Sequence, residues 1–130
     1  MSSAAPRSTP RRAGTHYEDL ALAHLQRAGL TLVARNYSCR LGELDLIMQD
    51  GATLAFVEVR YRRSGDTHGF GDGIDSISAA KRSRLVRAAS LFLAAQPRLA
   101  RRACRFDVVA IAGPTGAESL TWCRNAFEAC

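Results

Sequence analysis

Two apolar segments joined by Asp50-Gly51 constrain this chain more than any other feature. Gly42-Glu43-Leu44-Asp45-Leu46-Ile47-Met48 and Thr53-Leu54-Ala55-Phe56-Val57-Glu58-Val59-Arg60 have strand composition, and Asp-Gly between two such runs is a strong hairpin signal. Three acidic residues sit inside these runs: Glu43, Asp45 and Glu58. Strand interiors usually exclude carboxylates, so each needs a reason. With Asp50-Gly51 as a two-residue loop, Gln49 pairs with Ala52, Asp45 with Phe56, and Glu43 with Glu58. Asp45 then lies diagonally across from Glu58, with β-carbons roughly 5 to 8 Å apart, and like charges that close are destabilising unless something positive sits between them.

Two kinds of positive group would serve. A divalent cation is one: magnesium takes oxygen ligands, needs only one or two carboxylates and keeps several waters, so Asp45 and Glu58 with a backbone carbonyl near Val59 would suffice. Such a cation lowers the pKa of a bound water and neutralises charge developing on a phosphate. The other is a solvated strand face on which the acids pair with Arg60 and Arg105.

The rest of the chain supplies the frame. Residues 1–14 hold Pro6, Pro10, small polar residues and Arg7, Arg11 and Arg12, and read as a disordered basic arm before a single domain over 15–130. Thr15 and Glu18 have capping-box spacing, and Tyr17, Ala21, Leu22, Leu25 and Ala28 follow at helical spacing up to Gly29. Leu30 to Tyr37 reads as a strand. Residues 61–75, with Gly65, Gly69, Gly71 and Gly73, read as a mobile loop, because the glycines neither directly follow a clear strand nor open a helix as a dinucleotide loop requires. A second helix spans about Ser78 to Gln96, with Leu85, Ala88, Ala89 and Phe92 on its buried face and Arg82, Arg84 and Arg87 outside. Arg105 to Ala112 and Leu120 to Arg124 are the last strands. The order helix, strand, hairpin, helix, strand, strand predicts an α/β domain with a mixed central β-sheet flanked by helices.

Composition narrows the function classes. No apolar run approaches the roughly 18 residues of a membrane span, and the start of the chain has no apolar core of a secretory signal, so the cytoplasm is the expected compartment. Cys39, Cys104, Cys123 and Cys130 contain no C-x-x-C pair, which speaks against structural zinc. Eighteen basic residues against twelve acidic ones give a net charge of +6, a bulk preference for polyanions. Lys81 is the only lysine.

Gly42-Glu43-Leu44-Asp45-Leu46-Ile47 followed by Phe56-Val57-Glu58-Val59-Arg60-Tyr61-Arg62 resembles the nuclease-like motif of the YraN family, bacterial proteins of the PD-(D/E)XK, or restriction-endonuclease-like, superfamily. Tyr17-Glu18, Ala21, Gly29, Arg35-Asn36-Tyr37, Phe70-Gly71, Lys81, Arg105-Phe106-Asp107-Val108-Val109 and Asn125-Ala126-Phe127 extend the resemblance over nearly all of residues 14–128. It implies a restriction-endonuclease-like fold with Asp45 as the metal-binding aspartate and Glu58 as the acid of the E-x-K element. Arg60 then stands at the lysine position. Arginine stays protonated and offers a planar fork, so it is a poor general base, though suited to orienting water or phosphate. Glu18 matches an acidic position used near the metal in resolvase-like relatives, and its alternative is the capping box.

Lys81 falls in line with Leu85, Ala88 and Phe92, which brings its ammonium toward the sheet as a substitute for the missing lysine; the alternative is a lysine snorkelling at the helix end. Arg62, Arg63, Arg82, Arg84 and Arg87 are candidates for gripping phosphates, and Tyr61 and Phe70 for stacking on bases. Asp107 reads as an ion-pair partner of Arg105. The preferred reading is a nuclease that hydrolyses DNA with Mg2+ or Mn2+, through Glu18, Asp45, Glu58, Arg60 and Lys81, with homodimerisation admitted. The rival is a nuclease-fold module that binds nucleic acid or a DNA-processing partner without chemistry.

Overall fold

The structure is a computed structural model that describes residues 12–62 and 77–127. Its elements run α1 (Arg12–Arg27), β1 (Thr31–Cys39), β2 (Gly42–Asp50), β3 (Thr53–Arg62), α2 (Ala79–Ala94), β4 (Ala103–Ala112) and β5 (Ser119–Phe127). The five strands form one sheet in sequence order, antiparallel except for β3 and β4, which run parallel. A parallel pair needs a crossover, and α2 provides it. The expected mixed sheet flanked by helices is what the chain forms, an architecture compatible with a restriction-endonuclease-like fold.

Each helix covers a different side of the sheet. Ala21 and Leu25 of α1 pack with Leu46, Met48, Ala55, Val57, Val109 and Ile111. Leu85, Ala88, Ala89 and Phe92 of α2 pack with Ile47, Leu54, Phe56, Phe106 and Val108. The central strand is therefore buried on both faces, and Leu54 to Val57 reads as a continuous apolar run for that reason. Glu58 comes directly after it and is only 6% exposed. Ser78 caps α2, its hydroxyl accepting from the Lys81 N–H at 3.1 Å, which fixes where the helix starts and hence where Lys81 stands.

Four sequence expectations are corrected. The hairpin turn is Gly51-Ala52, not Asp50-Gly51: Asp50 pairs with Thr53 and stays in the ladder, held by Arg105 at 3.0 Å, while Gly51 takes the left-handed φ of 63°. Helix α1 starts at Arg12, so Thr15 lies within it and cannot form an N-cap; Arg12 and Ala13 are good helix formers that carry the helix back past Gly14. Tyr61 and Arg62 belong to β3 rather than to a loop, because β4 is long enough to pair them with Ile111 and Ala112. Strand β5 continues beyond Arg124 to Phe127, whose ring stacks on Phe106 at 4.9 Å. The expected arm falls largely on residues 1–11, and the glycine-rich loop with Arg63 and Phe70 on 63–76; both lie outside the described residues.

Candidate functional site

The site forms where β2 and β3 part. Their ladder ends at Leu46 with Val57, and beyond it the Asp45 side chain takes the place of a strand: the Val59 N–H donates to Asp45 Oδ2 at 2.9 Å. Simple alternation also fails here. Leu44 and Ile47, an odd number of positions apart, both pack on the α2 side, while Leu46 packs on the α1 side. Asp45 thus occupies a local twist of the strand, and counting the true register outward sets it beside Glu58 rather than diagonally from it.

The electrostatics show the consequence. Burial pushes the Asp45 carboxyl up to about 8, the charge of Glu58 adds to the rise, the Val59 N–H opposes it, and Glu18 and Glu43 raise it further. Glu58 is met from the opposite wall: Lys81 Nζ lies 2.8 Å from Glu58 Oε2, and Arg60 Nη1 lies 4.0 Å from the same oxygen. The ammonium reaches the sheet's polar spot, as the alignment of Lys81 with Leu85 and Phe92 suggested.

Glu18 approaches from α1. Its Oε1 is buried and lies 3.5 Å from Arg35 Nη2, an ion-pair distance without hydrogen-bond geometry; the same nitrogen donates to Asp19 Oδ1 at 2.8 Å. Arg35 was not singled out as a site residue from sequence, although an arginine within an apolar strand carries the same signal as the acids opposite it. Asn36 beside it belongs to the same Arg35-Asn36-Tyr37 motif.

Among the described residues no set of three His, Cys, Asp or Glu side chains could by itself hold a metal ion. The residues that would hold one are the pair Asp45 and Glu58. A magnesium ion that retains several waters would need no more, and Asp45 is the acid of this group whose carboxyl burial and neighbouring carboxylates raise.

The remaining candidates fall into two groups. Arg82, Arg84 and Arg87 are exposed on α2, with Arg82 6.0 Å from the Phe127 ring centroid, and Arg62 is half-buried at the end of β3. Tyr61 stacks on Tyr17 at 4.1 Å and its hydroxyl donates to the Gly113 carbonyl at 3.1 Å, so it ties α1 and the β4–β5 turn to β3. Asp107 is fully buried and accepts from Arg105 Nε, Trp122 Nε1 and the Asn125 N–H at 2.9, 3.0 and 2.9 Å. It is an internal partner of Arg105, as expected, and its acceptor capacity serves the attachment of β5.

Residues 17–111 match the uncharacterised protein family UPF0102. The chain belongs to that family. A UPF0102 protein of Stutzerimonas stutzeri (strain A1501) is 51% identical over 93% of this chain and 98% of its own length. UPF0102 proteins of Nitrosococcus oceani and Pseudomonas putida (strain GB-1) are 50% and 52% identical, over 93% and 95% of this chain and 95% and 98% of theirs. The matched span of the UPF0102 family takes in Glu18, Asp45, Glu58, Arg60 and Lys81 together. No helix among the described residues is long and apolar enough to cross a membrane.

Proposed function

We propose that this protein is a divalent-cation-dependent nuclease that hydrolyses phosphodiester bonds in DNA. The observation that carries the reading is the placement of Asp45: its Oδ2 accepts from the Val59 N–H at 2.9 Å where β2 and β3 part, next in register to a Glu58 that is buried and aligned by Lys81 at 2.8 Å. Asp45 and Glu58 would hold Mg2+ or Mn2+, which supplies a water of lowered pKa and charge neutralisation at phosphate. Lys81 fixes the Glu58 carboxylate and provides the compact ammonium that Arg60 cannot. Arg60 presents its fork on the same side of Glu58, where it suits phosphate oxygens. Arg62, Arg82, Arg84 and Arg87 give positive charge for positioning the DNA backbone.

One observation favours a second reading, a nuclease-fold module that binds nucleic acid or a DNA-processing partner without cutting. Lys81 already neutralises Glu58 at 2.8 Å. The test is incubation of duplex, single-stranded and branched DNA with the full chain and Mg2+ or Mn2+, beside Asp45→Ala. Cleavage that Asp45→Ala abolishes supports the nuclease; binding without cleavage by the native chain supports the module.

A further inference from the structure

Asn36 combines two unfavourable features in the middle of β1. Its backbone is left-handed, with φ of 56°, and its side-chain Oδ1 is buried without a hydrogen-bond partner. Asn125 shares the backbone conformation but has a visible reason for it, since its N–H donates to Asp107 Oδ1 at 2.9 Å. Among the described residues no comparable contact accounts for Asn36.

Its register does place it. Arg35 pairs with Leu46 and Tyr37 with Leu44, which sets Asn36 directly across from Asp45. On the other side of β2, the ladder ends at Leu46 with Val57, so the next step sets Asp45 beside Glu58. Asn36, Asp45 and Glu58 therefore fall at successive register positions across three strands, the last step lying where β2 and β3 part. Beyond Glu58 the row turns apolar at Val108. Two members of the row are the carboxylates of the site.

We infer that Asn36 is a positioning residue of this site, whose buried Oδ1 accepts a hydrogen bond from a water in the coordination shell of the divalent cation held by Asp45 and Glu58. The inference rests on the metal-dependent reading given above. A carboxamide suits the position because it adds an acceptor without adding charge: Asp45 already feels Glu18, Glu43 and Glu58. Asparagine is also the side chain, after glycine, that best tolerates a left-handed backbone. If backbone conformation were the whole reason, glycine would serve equally well.

That contrast gives the experiment. Mn2+ binding to the full chain is measured by calorimetry and by loss of the free-ion paramagnetic signal, for the native protein, Asn36→Gly and Asn36→Asp, with thermal unfolding of each. Asn36→Gly is expected to unfold no earlier than the native chain yet to bind Mn2+ about 10-fold more weakly, as when an outer-shell partner is lost. Asn36→Asp, which retains the oxygen, is expected to bind at least as tightly as the native chain. Equal affinity in the native protein and Asn36→Gly overturns the role of Asn36 and leaves the Asp45–Glu58 site standing. Absence of saturable Mn2+ binding by the native protein overturns both. Should Asn36→Gly fail to fold, Asn36→Asp decides, and weaker binding by that variant overturns the inference.

Discussion

Replacing Asp45 by asparagine in metal-free protein should stabilise the fold at pH 8 and do progressively less as the pH falls. The carboxyl titrates at 3.8 by default and near 8 in the folded chain. Between those values the folded chain holds a proton that the unfolded chain has released, so stability falls as pH rises through the interval. Below pH 4 both states are protonated and the penalty vanishes; above pH 8 it is complete. The full displacement corresponds to a ceiling of roughly 6 kcal/mol, and partial solvent access to Asp45, with rearrangement of Glu58 and Lys81, brings the expected effect to roughly 2 to 3 kcal/mol. Asparagine removes the charge and keeps an oxygen for the Val59 N–H, so the geometry survives. Urea unfolding of both proteins with a chelator, at pH 5 and pH 8, measures the difference and cancels the histidines common to both. Asp45→Asn should gain about 2 kcal/mol at pH 8 and less than half of that at pH 5. Saturating Mg2+ should then restore the native protein alone. Asp45→Asn that is no more stable than native at pH 8 would refute the account of Asp45 as a carboxylate in want of a cation.

Three further expectations follow from the contacts. Lys81→Met leaves Glu58 buried without its ammonium and should cost about 3 kcal/mol in urea unfolding, most of it recovered in the Lys81→Met, Glu58→Gln double variant; additive losses would show that the pair is not coupled. Arg60→Lys should preserve or raise DNA cleavage while Arg60→Ala lowers it, in parallel assays on one substrate, and full activity of the alanine variant would remove Arg60 from the mechanism. Asp107→Ala strands the Trp122 indole and the Asn125 N–H and leaves Arg105 with Asp50 alone, and should cost about 3 kcal/mol or more with no change in Mn2+ affinity, since its role lies in attaching β5.

The elements were legible because their signals are local. Strand composition marked β2 and β3, Pro97 and the periodicity of Leu85, Ala88, Ala89 and Phe92 marked α2, and the element order gave the mixed sheet. What failed depends on tertiary contacts. The Asp50-Gly51 turn signal was sound in kind but misplaced by one residue, because Arg105, more than fifty positions away, holds Asp50 in the ladder. Thr15 had the right spacing for a cap, yet spacing cannot say where helix propensity upstream gives out. The candidate acids were visible as charges inside apolar strands. Their arrangement was not, because it depends on where β2 parts from β3, and no property of residues 42–48 alone announces that. Asn36 is visible in the sequence as part of the Arg35-Asn36-Tyr37 motif, but only the strand register sets it across from Asp45.

The two functional readings differ in how they account for charge at one place. Glu58 is answered by Lys81 and approached by Arg60, and Glu18 is answered by Arg35. If every acid were answered in this way, the site would be a structural ion-pair network, and the module reading would need nothing further. Asp45 breaks that pattern. It is held by a backbone N–H that lowers its pKa, yet burial and three neighbouring carboxylates outweigh that bond and keep it raised. A purely structural site has a cheaper solution, since asparagine would take the same hydrogen bond from Val59 without the repulsion. In the proposed function an aspartate at this position would have its charge used, by a divalent cation shared with Glu58. Lys81 does not oppose that role: with the ammonium on Glu58 Oε2, the other carboxylate oxygen would serve a cation on a side chain already held in place.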